Sequence, residues 1–197
     1  ITKLEKGNYI VFFPSYKFLD STRQNLDIPG FKILSQERDM KLDDVDSLER
    51  SLTNSKKPTI VLAVQGGAFS EGMDLNSPFL KGVFIVGPAI PMVTYERGLL
   101  KDYYDSKFGD GTAYAYVYPA MARSVQAAGR VIRSSEKRGL IVMMDSRFIK
   151  DPYVETMPGY WMKDSVDELV SNQILKDVSE FWSNSPKIDV FAGQVPH

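Results

Sequence analysis

Four continuous apolar runs set the limits on what this chain folds into. They are Tyr9-Ile10-Val11-Phe12-Phe13, Thr59-Ile60-Val61-Leu62-Ala63-Val64, Gly82-Val83-Phe84-Ile85-Val86 and Leu140-Ile141-Val142-Met143-Met144. A strand with one wet face alternates apolar and polar residues; a strand covered on both faces does not. These runs do not alternate, so they predict parallel strands with helices on both sides. Phe31-Lys32-Ile33-Leu34 is a weaker fifth.

Helical patterns lie between the runs. Lys17 to Leu26 follows the first. Leu42, Val45, Leu48 and Leu52 recur at three- and four-residue spacing and form one apolar stripe. Thr94 to Phe108 and Tyr118 to Arg133 predict two more helices. The alternation of strand and helix argues for an α/β fold, a mostly parallel sheet with helices on both faces. After Asp145 the pattern changes. Phe148 to Met162 contains Pro152, Pro158 and Gly159 and reads as an irregular connection. Val166, Leu169, Val170, Ile174, Val178 and Phe181 then predict one long amphipathic helix from Asp164 to Trp182. The expected organisation is an α/β unit over 1–150, a connection and packed helix over 151–182, and a loose tail over 183–197.

Composition narrows the chemistry. There is no cysteine, so a disulfide framework, a cysteine zinc site and a thiol nucleophile are excluded within the chain. The single histidine, His197, is the last residue, which argues against a Ser-His-Asp triad or a histidine metal site. No metal ligand is assigned, and catalysis would fall to carboxylates, Lys, Arg or backbone dipoles. The net charge is −1 and the pI about 5.9. That is not the balance of a wholly basic nucleic-acid binder, although a local basic strip still tracks a phosphate backbone. No run reaches the roughly 18 apolar residues of a membrane helix, and Ile1 to Lys6 holds no apolar signal core; no membrane partner is expected. The first residue is Ile rather than Met, so a piece of a longer protein or a processed product is expected.

Four stretches could carry chemistry. On the Tyr118–Arg133 helix, Arg123, Gln126, Arg130 and Arg133 share a face at three- and four-residue spacing, while Val125, Ala128 and Ile132 form the expected core stripe. Stacked arginines suit an anion, which guanidinium groups grip in bidentate fashion; the alternative is a solvated basic face with Glu136 paired to Arg133. The loop from Gln65 through Gly66, Gly67, Ser70, Glu71 and Gly72 to Asp74 comes after a buried strand, at the sheet edge where open α/β folds bind ligands. It lacks the Gly-Lys-Ser/Thr of a Walker A loop; Glu71 and Asp74 are acid/base groups, ribose acceptors or local caps. Ser15, in Pro14-Ser15-Tyr16, suits an N-cap and also a phosphate contact. Tyr103 and Tyr104 lie beside Lys101 and Lys107; base stacking is one reading, core packing of one ring and exposure of the other the second.

In order, these stretches resemble the second motor domain of superfamily 2 helicases of the XPD and DinG type. Val11-Phe12-Phe13-Pro14-Ser15-Tyr16 is similar to helicase motif IV, Gln65 to Asp74 to motif V, and Gln126-Ala127-Ala128-Gly129-Arg130-Val131-Ile132-Arg133 to motif VI. Gly139 to Phe148, with Asp145-Ser146-Arg147-Phe148, is similar to the strand and turn beyond motif VI in that family. The resemblance implies a RecA-like fold and half of an ATP-driven, single-stranded-DNA-translocating helicase of DNA repair. Arg130 and Arg133 would be arginine fingers. Gln126, Asp74, Gly72 and Glu71 would face ATP, held with Mg chiefly by a first RecA-like domain of the same protein. Ser15, Tyr16, Gln65, Gly66, Ser70 and Arg123 would lie along single-stranded DNA. The family's iron–sulfur cluster needs four cysteines, which would sit in that first part. With Walker A and B absent, this stretch alone is expected not to hydrolyse ATP. Eukaryotic XPD proteins often carry Arg-Gly where Gly66-Gly67 stands, and an acidic and an aromatic residue where Lys137-Arg138 precedes Gly139. Those departures suggest a prokaryotic, archaeal-like source and a place on the nucleoid, against the nucleus for a eukaryotic one. The second reading is an isolated single-strand-binding module without turnover. The third is an unrelated α/β domain whose loop binds a small anion.

Overall fold

A computed structural model describes residues 1–67, 69, 80–129, 138–162 and 164–184. Strand β1 (Asn8–Phe13) leads to helix α1 (Tyr16–Arg23) and strand β2 (Lys32–Ser35). Helix α2 (Leu42–Thr53) and strand β3 (Thr59–Val64) come next, then strand β4 (Leu80–Ile85), helix α3 (Tyr95–Phe108), helix α4 (Tyr118–Ala128) and strand β5 (Leu140–Met143). Helix α5 (Ile174–Ser183) comes last. The described strands form one sheet in the order β2-β3-β1-β4-β5, every neighbouring pair parallel. All five predicted runs are strands, including the weak one, and Lys32–Ser35 is an outer strand.

The continuous runs are explained by cover on both faces. Ile10 and Phe12 of β1 point to one side with Val61 and Ala63 of β3 and Val83 and Ile85 of β4. Val45, Leu48 and Leu52 of α2 and Met121, Ala127 and Ala128 of α4 close over them. Tyr9 and Phe13 point to the other side, where Leu19 of α1 meets Ile60, Leu62, Val64 and Phe84. Neighbouring residues of a strand face opposite ways, so both parities must be apolar. The connection after β5 joins the first side: Phe148 and Met157 are buried there, and Tyr153, Trp161, Met162 and Val166 pack against it.

The layout places a ligand edge. The chain after β1 enters a helix on one face, whereas Phe69 after β3 is buried on the other. Such a divergence at the carboxyl ends of neighbouring strands opens a crevice.

Helix α4 begins in a way its sequence explains. A π-helical turn, Ala113–Val117, runs straight into it, and Pro119 falls inside the helical run. Proline has no N–H, so it leaves a carbonyl of the preceding turn without its helical donor. The Ala115 carbonyl accepts instead from Arg97 Nη1 of α3, at 2.9 Å.

Three expectations are corrected. The predicted helix over 164–182 is broken: Val166–Leu169 is a 3-10 turn, Val170 is extended, and the α-helix starts at Ile174. Ser171 explains the break, because its hydroxyl accepts from the Gln173 backbone and donates to Asp177, the local bonding by which serine competes with helix. Neither tyrosine of α3 enters the core. Tyr103 is exposed, while Tyr104 stacks on Phe108 and Tyr114; no side chain of α3 is buried. The buried stripe of α4 is Ala120, Met121, Ser124, Ala127 and Ala128, with Val125 half-buried and Ile132 outside the described residues. Apart from Met121, the helix approaches the sheet on small side chains. The tail from 185 onward also lies outside the described residues.

Candidate nucleic-acid and nucleotide interface

The carboxyl edge of the sheet gathers the described candidates. Ser15 is extended and caps α1, its hydroxyl accepting from the Phe18 N–H at 3.3 Å. That cap orients the first turn and leaves Ser15 exposed. Tyr16 opens α1, and its hydroxyl accepts from Gln36 Nε2 at 2.9 Å. The Arg38 guanidinium stands 5.2 Å from the Tyr16 ring centroid. Burial raises the Tyr16 phenol above its ordinary pKa, with Arg38 pulling the other way.

Gln36 is a residue that sequence reasoning missed. It is 2 % exposed, and its Oε1 accepts from the Val64 N–H at 2.9 Å. It thus joins the ends of β2 and β3 to Tyr16. The available signal was a glutamine directly after a weak strand, which reads equally well as solvated loop.

The glycine turn lies directly after β3. Gly66 has φ +69°, and a Cβ there would stand 3.0 Å from Arg123 Cδ and Nε. At Gly67 a Cβ would stand 3.0 Å from Gln36 Nε2. The two glycines fit between the α4 arginine and the glutamine that follows β2, where a side chain would be in the way. Gln65 itself is buried, at 4 % exposure. Its Nε2 donates to the Gly87 carbonyl at 2.8 Å, and its Oε1 accepts from Ser124 Oγ at 2.8 Å. The side chain is turned inward, so the turn presents backbone to its surroundings. Arg123 is half-buried and Gln126 exposed on α4.

The structure therefore brings Ser15, Tyr16, Gln65, Gly66 and Arg123 to one sheet edge, with Gln126 on the same helix as Arg123. Ser70, Glu71, Gly72, Asp74, Arg130 and Arg133 lie outside the described residues. Among the described residues no three or more His, Asp or Glu side chains group as metal ligands, and no helix is long and apolar enough to cross a membrane. Beyond β5, Asp145 accepts from Arg147 Nε at 2.9 Å and Nη2 at 2.7 Å. This bonding holds the Asp145 carboxyl below its usual pKa range.

The family model for the helicase C-terminal domain matches residues 1–164. The chain belongs to that family. This helicase C-terminal domain is 24% identical to the ATP-dependent DNA helicase CHL1 of Yarrowia lipolytica, over 94% of this chain and 27% of that protein. It is also 24% identical to the general transcription and DNA repair factor IIH helicase subunit XPD of Schizosaccharomyces pombe, over 87% of this chain and 23% of that protein. The domain thus spans about a quarter of the length of each relative. Among solved structures, one titled XPD helicase superposes with a TM-score of 0.61 at 22% identity, over 78% of this chain and 28% of that one. At that identity the likeness is one of fold, and the fold is the RecA-like helicase domain expected from the motifs. The helicase domain is of the XPD and DinG type.

Proposed function

We propose that this domain is the C-terminal motor half of an ATP-dependent helicase that moves along single-stranded DNA, in DNA repair. The observation that carries the reading is the convergence of the motif IV turn, the motif V glycine turn and the motif VI helix at one sheet edge, with Arg123 laid across Gly66. Exposed hydroxyl, glycine backbone and guanidinium are the groups that track a phosphate backbone. On this reading Ser15, Tyr16, Gly66, Ser70 and Arg123 line the strand, and Gln65 contributes through its backbone. Residues 1–150 are the motor unit, and 151–182 are its connection and covering helix.

ATP, with Mg, would be held chiefly by a first RecA-like domain of the same protein. Gln126, Asp74, Gly72 and Glu71 would face it from this side, and Arg130 and Arg133 would stabilise the charge developing on the transferring phosphoryl group. Turnover would then need both halves, so this domain alone would be inactive. The chain contains no cysteine, so an iron–sulfur cluster does not fit these residues and would belong to other parts of the protein. The place of work is wherever DNA is, nucleoid or nucleus.

The test is ATP hydrolysis by the full-length protein, with and without single-stranded DNA, for wild type and Arg133→Ala. Stimulation by DNA and a loss of roughly a thousandfold in the folded variant are expected. Normal hydrolysis by Arg133→Ala would overturn the finger assignment. Strand binding with no hydrolysis in the full-length wild type would favour a binding module instead.

A further inference from the structure

We infer that Gln65 is a positioning residue, which sets the register of the motif VI helix on the motif V turn through Ser124. The inference rests on the motor reading above. Three elements meet at Gln65. Its backbone N–H donates to the Phe13 carbonyl of β1 at 3.0 Å. Its side chain donates to the Gly87 carbonyl, beyond β4, and accepts from Ser124 of α4. A carbonyl only accepts, so Gly87 fixes which end of the amide faces it. The oxygen is left for the Ser124 hydroxyl. Both side chains are buried, Ser124 at 0 % and Gln65 at 4 % exposure.

Two adjacent pairs therefore cross from turn to helix: Gln65 with Ser124, and Gly66 with Arg123. A helix turns about 100° per residue, so a slip of α4 by one residue would break both pairs at once. Ser124 precedes Gln126 in the same helix, and the same register fixes the face on which Gln126 is presented. Gly87 extends the tie outward. A Cβ there would stand 3.1 Å from Asp145 Oδ2 and 3.2 Å from Arg147 Nη2. Small displacements of a catalytic group cost rate far more than they cost stability.

The experiment uses the full-length protein and four variants: Ser124→Ala, Ser124→Thr, Gln65→Met and the double Gln65→Met/Ser124→Ala. Steady-state ATP hydrolysis on single-stranded DNA is measured beside thermal unfolding. Ser124→Ala and Gln65→Met are each expected to lower kcat about tenfold or more, with KM for ATP within about twofold. The double variant should be no worse than the worse single, because both remove the Gln65–Ser124 bond that sets the register, while Gln65→Met additionally loses the bond to the Gly87 carbonyl and Ser124→Ala the one to the Ala120 carbonyl. Ser124→Thr keeps the hydroxyl and should keep kcat. Ser124→Ala places alanine in a stripe already built of alanine, so it carries the test even where Gln65→Met does not fold. Wild-type kcat in the folded variants, losses that multiply in the double, or failure of threonine to rescue would each overturn the inference. Absence of DNA-stimulated hydrolysis in the wild type would sink the motor reading, and this inference with it.

Discussion

Arg123 lies across Gly66, with its Cδ and Nε 3.0 Å from where a Cβ would stand. Replacing Gly66 by alanine thus meets two penalties. One is backbone strain, since φ is +69° and a left-handed non-glycine residue costs about 1–2 kcal/mol. The other is displacement of the arginine. Urea unfolding should show a loss of about 1–2 kcal/mol or more for Gly66→Ala. The loss should shrink in an Arg123→Ala background, which clears the space. Equal losses in both backgrounds would mean that Arg123 does not occupy that space in solution.

The same arginine reports on the strand. If Arg123 neutralises one phosphate, Arg123→Ala should make the slope of log K against log salt shallower by about 0.7, the value for a single strand. Fluorescence titrations of the full-length protein with labelled DNA over a range of salt measure it. An unchanged slope would assign Arg123 to holding the turn alone.

Asp145 carries an acid-side contribution to stability. Hydrogen bonding to Arg147 is the first cause of its lowered pKa. A carboxyl whose folded pKa is depressed contributes stability above its unfolded pKa, about 3.9, and loses it as pH falls through the lower folded value. Asp145→Asn should therefore be less stable than wild type near neutrality, with the gap closing below about pH 4. A gap that persists unchanged at low pH would mean that the charge is not its source.

The central strand should be unforgiving. Phe12 is fully buried between β3 and β4, and Phe12→Ala should cost about 3–5 kcal/mol by the cavity it leaves. Leu99 on α3 is 53% exposed, and Leu99→Ala should stay within about 0.5 kcal/mol. Chemical denaturation of both variants provides the comparison.

The strands were legible because an unbroken apolar run of strand length admits few arrangements, and burial on two faces is the simplest. The partners of Gln65 were not. Gly87 and Ser124 stand far from it in the chain, and no local pattern marks a glutamine that will be satisfied by residues brought in through the fold. The same limit left the α4 stripe incomplete: Ala128 is buried as expected, but the spacing put bulky Val125 beside it, whereas Ser124, Ala120 and Ala127 are buried and Val125 is only half-buried. The helix over 164–182 failed on Ser171, a polar residue that the apolar spacing hid. Motif order pointed to the sheet edge, where Ser15, Tyr16, Gln65, Gly66 and Arg123 lie, with Gln126 on the same helix as Arg123.

Helix α3 obeys a different regime from the sheet. No side chain of it is buried; it is tied on by the Arg97 bond to Ala115 and by the stacking of Tyr104 and Phe108 on Tyr114. Such a segment opens without asking the core to open. Its amide hydrogens should exchange with deuterated solvent long before those of β1, so the domain would melt, residue by residue, as two populations rather than one.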